Sequence, residues 1–114
     1  MIDKLRSICS RFPGVTEDIK WGADLCFCVG PKMFCVVGIE APHNFSFKCS
    51  EENFETLTER DGIIPAPYMA KHLWVAVRKP SALKKDELAQ LLEESYTLVR
   101  SKLPKKVQEK LGQL

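Results

Sequence analysis

Hydrophobic residues first recur at helical spacing. Ile2, Leu5, Ile8 and Phe12 share one face, and Pro13 with Gly14 ends the run, so the chain opens on a short amphipathic helix. Residues 25–29 and 33–39 are apolar and β-prone, and Gly30, Pro31 and Lys32 join them in the pattern of a two-stranded hairpin. Residues 44–50 then alternate, with Phe45, Phe47 and Cys49 on one side and Ser46 and Lys48 on the other, which predicts a third strand with a core face and a polar face. Ser50 is placed to cap a second helix, Glu51 and Glu52 suit the positive end of its dipole, and Asp61 and Gly62 stop it. Residues 63–70 contain Pro65 and Pro67 and read as an extended loop, because proline lacks the donor that a sheet interior requires. A fourth strand follows over residues 73–78. Asp86 and Glu87 open the longest helix, whose apolar side carries Leu88, Leu91, Leu92, Ser95, Val99 and Leu103, and Pro104 begins a last short helix with Val107 and Leu111.

The order helix, three strands, helix, strand, helix predicts an α+β fold, a two-layer sandwich in which an antiparallel sheet carries its helices on one face. In the fourth strand, alternation turns Leu73, Val75 and Val77 to the core. Trp74, Ala76 and Arg78 then join Ser46 and Lys48 on the opposite, open face. A tryptophan between Lys71 and Arg78, with Lys79 adjacent, makes a surface able to touch phosphates and stack on a base or a partner side chain. The candidate binding residues are Lys48, Lys71, His72, Trp74, Arg78 and Lys79. The structural alternative for Trp74 is that it covers the open side of the sheet beneath the proline loop and Tyr68. The alternative for the cations is a solvated edge that discourages strand-to-strand aggregation. Trp21, beside Gly22, reads as structural.

Composition narrows the classes without choosing a ligand. A chain of 114 residues with 45% hydrophobic and 28% charged residues suits a single globular domain over residues 1–114. The net charge of +2 is well short of a dedicated nucleic-acid binder, and all of the excess lies after residue 80, where seven cations face five anions. The charged N-terminus and the absence of a long apolar run imply a cytoplasmic protein with no membrane partner. Cysteines 9, 26, 28, 35 and 49 are odd in number and form no CxxC pair, so they read as free thiols. A zinc site drawn from Cys26, Cys28, Cys35 and Cys49 with His43 or His72 matches no standard spacing, and burial is the preferred reading. No glycine-rich phosphate loop, nucleophile elbow or HExxH motif occurs, so the chain is expected to be non-enzymatic, with no cofactor and no metal. Chemistry, if any, would start from Cys49, Cys26 or Cys28 with His72 or His43.

Several local features in order resemble the MmcQ/YjbR family over nearly the whole chain. They are Pro13-Gly14 followed by Trp21-Gly22, the strand pair around GPKMF, the PxPYMxK approach to a tryptophan, and the run ESYTLVRSKLPKKVQEKL. In that family a histidine usually stands directly before the tryptophan. Here Lys71 and Trp74 keep the family's spacing while the histidine sits one position earlier, at His72. The resemblance implies a CyaY-like fold, similar to the bacterial frataxin homologue, and DNA binding through a double-wing surface. Frataxin-like iron binding does not carry over, because the first helix offers only Asp3 beside Lys4, Arg6 and Arg11.

The functional expectation is a monomeric binding domain that contacts duplex DNA through the open sheet face. Its cations would neutralise phosphates and Trp74 would supply a stacking or wedge contact. The rival expectation is a protein-interaction module in which Trp74 is the anchor and Arg78 its polar rim.

Overall fold

The computed structural model describes residues 1–112. Six strands form one sheet: β1 (Val15–Lys20), β2 (Asp24–Val29), β3 (Lys32–Gly38), β4 (Phe45–Lys48), β5 (Ile63–Pro65) and β6 (Trp74–Val77). Their spatial order is β1-β2-β3-β4-β6-β5, and every neighbouring pair is antiparallel. Helices α1 (Ile2–Cys9), α2 (Glu51–Thr58) and α3 (Lys85–Ser101) supply Leu5, Ile8, Leu57, Leu88, Leu92 and Tyr96 to a core shared with Phe27, Val37, Phe45, Phe47, Val75 and Val77 of the sheet. The two-layer α+β architecture is therefore as expected, with the predicted apolar stripe of α3 buried. Helix α4 (Lys105–Leu111) follows Pro104 and rests Val107 and Leu111 against the same core.

Two strands escaped the sequence reading. Strand β1 is an edge whose residues VTEDIK are mostly exposed, so it shows no apolar alternation. Strand β5 lies inside the segment expected to be a loop. It is the opposite edge, where Pro65 needs no outward donor, and it pairs Ile63 with Val77. A second correction concerns Leu73. Its φ of 65° is left-handed and it ends the 3₁₀ turn Ala70–His72, so β6 begins at Trp74.

A bulge shapes the end of the sheet that matters below. Phe27 pairs with Cys35, whereas Cys28 pairs with Met33, leaving Phe34 as the extra residue. Phe34 and Cys35 are both fully buried, and the Phe34 ring meets the Tyr96 ring edge-on at 5.5 Å. The register that pairs Cys35 with Phe47 would next set Phe34 opposite Lys48, but the β3–β4 ladder stops there. In its place the buried Ser95 hydroxyl of α3 donates to the Phe34 carbonyl at 2.6 Å and accepts from the Lys48 N–H at 3.1 Å. One helix side chain thus completes the ladder and ties α3 to both strands.

The other end of α3 is held electrostatically. Arg60 bonds both carboxylate oxygens of Glu87, at 2.9 and 2.7 Å, and Glu87 also accepts from the Lys84 N–H at 3.1 Å. These bonds, the Arg60 pair first, pull the Glu87 carboxyl from its ordinary 4.5 down to about 2. A depressed acid contributes stability that is fully present above its unfolded pKa and lost as pH falls toward its folded value. The pair is about a third exposed, so water screens it and the contribution is modest. Urea midpoints of the wild type and Glu87→Gln should therefore differ at pH 7 and converge between pH 4.5 and 2. A gap that stays constant over that range would show that Glu87 acts by packing alone.

Candidate ligand-binding site at the end of the sheet

Lys48 and Trp74 stand directly opposite each other on β4 and β6, so both point to the outer face at one end of the sheet. The loop after β5 folds back over that face. The Ala66 N–H donates to the Trp74 carbonyl at 3.0 Å, the Trp74 N–H to the Met69 carbonyl at 3.3 Å, and the His72 N–H to the Met69 carbonyl at 3.1 Å. Ala66, Trp74 and Ala76 form a second small core, with Met33, Val36, Ile64 and Met69 packed against it.

Trp74 is consequently only 4% exposed, which favours the alternative of a tryptophan covering the sheet beneath the proline loop over an open tryptophan face. It occupies the predicted face, but that face is covered. The exposed aromatics are Tyr68, at 98%, and Trp21, at 71%, so Trp21 stands in solvent and not in the core. Tyr68 caps the loop with a left-handed φ of 66°, a conformation that costs a non-glycine residue roughly 1 kcal/mol.

A pocket of about 330 Å³ opens where the β3–β4 ladder stops. Its apolar wall is Met33, Met69, Trp74, Val99 and Leu103, and its polar groups are Lys32, Lys48, His72 and Lys102. Val99 follows Ser95 by one turn of α3 and Lys102 caps that helix, so the hydroxyl that closes the ladder also sets the α3 side of the pocket. Burial, and then the charge of Lys102, lower the pKa of the Lys48 ammonium. Among the described residues no carboxylate lines the pocket, and none of Lys32, Lys48 or Lys102 forms a salt bridge.

The six predicted site residues thus fall into two groups. Lys48, His72 and Trp74 meet in the pocket, with Lys71 exposed beside His72 in the same 3₁₀ turn. Arg78 and Lys79 lie past the far end of β6, four and five residues from Trp74, or about 13 Å and more along an extended chain. Lys79 is also paired to Asp61 at 2.6 Å. Sequence reasoning missed Lys32 and Lys102, although the segments GPKMF and RSKLP that carry them were conspicuous.

All five thiols are buried, and the Cys9 and Cys35 side chains are within hydrogen-bond reach of each other. Cys9, Cys35 and Cys49 are in the main core, while Cys26 and Cys28 alternate to the outer face of β2. Burial pushes the Cys49 thiol up to about 12 and the Cys26 thiol up to about 11, values that leave almost no thiolate at neutral pH. His43 bonds the Gly38 carbonyl at 2.9 Å.

Comparison with known proteins decides the family. A model of the YjbR family matches residues 10–98. The chain belongs to the YjbR family. No curated protein matches it. The crystal structure of Deinococcus radiodurans protein DR2400, described by its DUF419 domain, superposes with a TM-score of 0.88 at 29% identity, covering 100% of this chain and 89% of that one. A Pseudomonas syringae protein solved by a structural genomics consortium aligns with a TM-score of 0.59 at 24% identity, covering 74% of this chain and 86% of its own, and so shares the fold. The YjbR match spans β1 through most of α3 and contains every polar group of the pocket except Lys102. Among the described residues no helix is long and apolar enough to cross a membrane.

Proposed function

We propose that this YjbR domain is a cytoplasmic, non-enzymatic binding module whose ligand is duplex DNA, gripped by its phosphates. The observation that carries this reading is a set of cations without anionic partners around one end of the sheet. Lys32, Lys48, Lys71 and Lys102 form no salt bridge among the described residues, and Tyr68 projects from the same loop as Lys71. Phosphate contacts of this kind need charge and reach rather than base-specific geometry. Trp74 is too buried to act as a wedge, so the exposed aromatic role passes to Tyr68. Arg78, exposed and without a salt bridge among the described residues, is a peripheral contact, and Lys79 is occupied by Asp61.

The test is fluorescence anisotropy of a labelled duplex at several salt concentrations, for the wild type and for Lys32→Gln/Lys71→Gln/Lys102→Gln. Binding should fall linearly on a log-log salt plot, and the triple variant should lower the slope by about 2–3 because each lost phosphate contact removes roughly 0.9. Absence of binding at low salt would refute the reading. One observation favours a protein partner instead. Trp21, with Ile19 at 60% and Ile39 at 36% exposure, makes an apolar surface at the opposite end of the sheet. Binding there would be nearly independent of salt and lost in Trp21→Ala.

A further inference from the structure

The pocket has features that phosphate contact on a duplex does not require. A backbone phosphate is met by exposed cations on a convex or grooved surface, whereas this site is concave. Five apolar side chains stand behind its lysines. Its volume of about 330 Å³ is at the small end of the range for organic ligands, and roughly 150 Å³ is enough for a benzene ring. The space therefore suits one ring or a short chain together with a head group.

The charge pattern selects the head group. Lys32 at the start of β3, Lys48 at the end of β4 and Lys102 after α3 approach from three elements, and among the described residues no carboxylate lines the space between them. Lys48 and Lys102 stand close enough for their like charges to repel, and the lowered pKa of Lys48 reflects its burial first and that repulsion second. An anion seated among them would remove that repulsion and gain charge-assisted hydrogen bonds, while a neutral or cationic guest would gain neither. The rim adds an imidazole, His72, and the wall adds the Trp74 indole and the thioethers of Met33 and Met69, which adapt to flat apolar groups.

We propose that this pocket binds a small organic anion, a flat or short-chain apolar body carrying one phosphate or carboxylate head, with the head between Lys48, Lys32 and Lys102 and the body against Trp74, Met69 and Leu103. The proposal stands independently of DNA binding, since its test contains no nucleic acid. ¹⁵N-labelled protein is titrated with phenyl phosphate, octanoate, inorganic phosphate and benzyl alcohol, following amide and indole resonances. Phenyl phosphate or octanoate should shift Trp74, Lys48 and Leu103 saturably, at least tenfold more tightly than inorganic phosphate or benzyl alcohol. Phenyl phosphate alone would point to a phosphate head, and octanoate alone to a carboxylate. Lys48→Gln/Lys102→Gln should weaken the preferred ligand at least tenfold while leaving the spectrum folded. Lys102→Arg, which retains the charge, should bind within a few-fold of wild type. The proposal is overturned if neither anion shifts these residues at millimolar concentration, if benzyl alcohol binds equally well, or if the folded double variant binds unchanged.

Discussion

Trp74→Ala is expected to destabilise the protein by about 3–5 kcal/mol, the cost of emptying a large buried aromatic site. That is the largest single effect in this chain outside the main core, and it follows from position rather than from ligand contact. The indole is 4% exposed and holds together the small core of Ala66, Ala76, Met33 and Met69 beneath the loop. Deleting it removes the surface on which that loop rests, so Tyr68, Lys71 and His72 lose their placement together. Urea unfolding of Trp74→Ala against wild type measures the effect directly. Trp74→Phe should retain most of the packing and cost markedly less. A loss below about 1 kcal/mol for the alanine variant would mean that the indole packs as a surface residue does. Any ligand-binding defect of Trp74→Ala must be compared with its fraction folded. Variants of Lys48 and Lys102, which are half-buried and exposed respectively, separate binding from folding more cleanly.

The sequence made the framework of the sheet legible and the site only partly so, for physical reasons that differ by element. Strand β4 and helix α3 announce themselves because each buries one side against the core, so periodicity and burial agree, whereas β2 and β3 are legible as apolar runs, β2 being buried on both faces. Strand β1 has little to bury and β5 is three residues long with a proline, so neither carries a periodic signal. The alternation around Trp74 was read correctly as far as its direction, since Trp74 and Ala76 do oppose Val75 and Val77. What alternation cannot convey is whether a face is covered. The cover is a loop whose left-handed turns at Tyr68 and Leu73 fold it back on the sheet, and non-glycine residues seldom advertise that conformation. Lys32, Lys48 and Lys102 were individually visible, but their convergence depends on three distant elements ending at the same place. Arg78 and Lys79 are near Trp74 in sequence and remote from the pocket for the complementary reason: an extended strand carries them away from it.

That convergence rests on one hydroxyl, and Ser95→Ala should expose it. The Ser95 side chain is completely buried, and its oxygen serves the Phe34 carbonyl and the Lys48 N–H at the point where the β3–β4 ladder would otherwise have paired those residues. Alanine keeps the volume nearly unchanged, so cavity formation contributes little. It leaves a buried acceptor and a half-buried donor without partners, at about 1–3 kcal/mol for a stranded group. The two together predict a loss of about 2–4 kcal/mol in urea unfolding, large for the deletion of one atom. The loss should also be local. Hydrogen exchange at the Lys48 amide should accelerate more than at Phe45, which is held by regular strand pairing on both sides. Because Lys48 and Met33 flank the opened ladder and line the pocket, the same variant should broaden their resonances and weaken organic-anion binding even under conditions where the protein remains folded. If Ser95→Ala proves neutral in stability and leaves Lys48 exchange unchanged, β3 and β4 close their own ladder, and the pocket owes its shape to the Phe34 bulge alone.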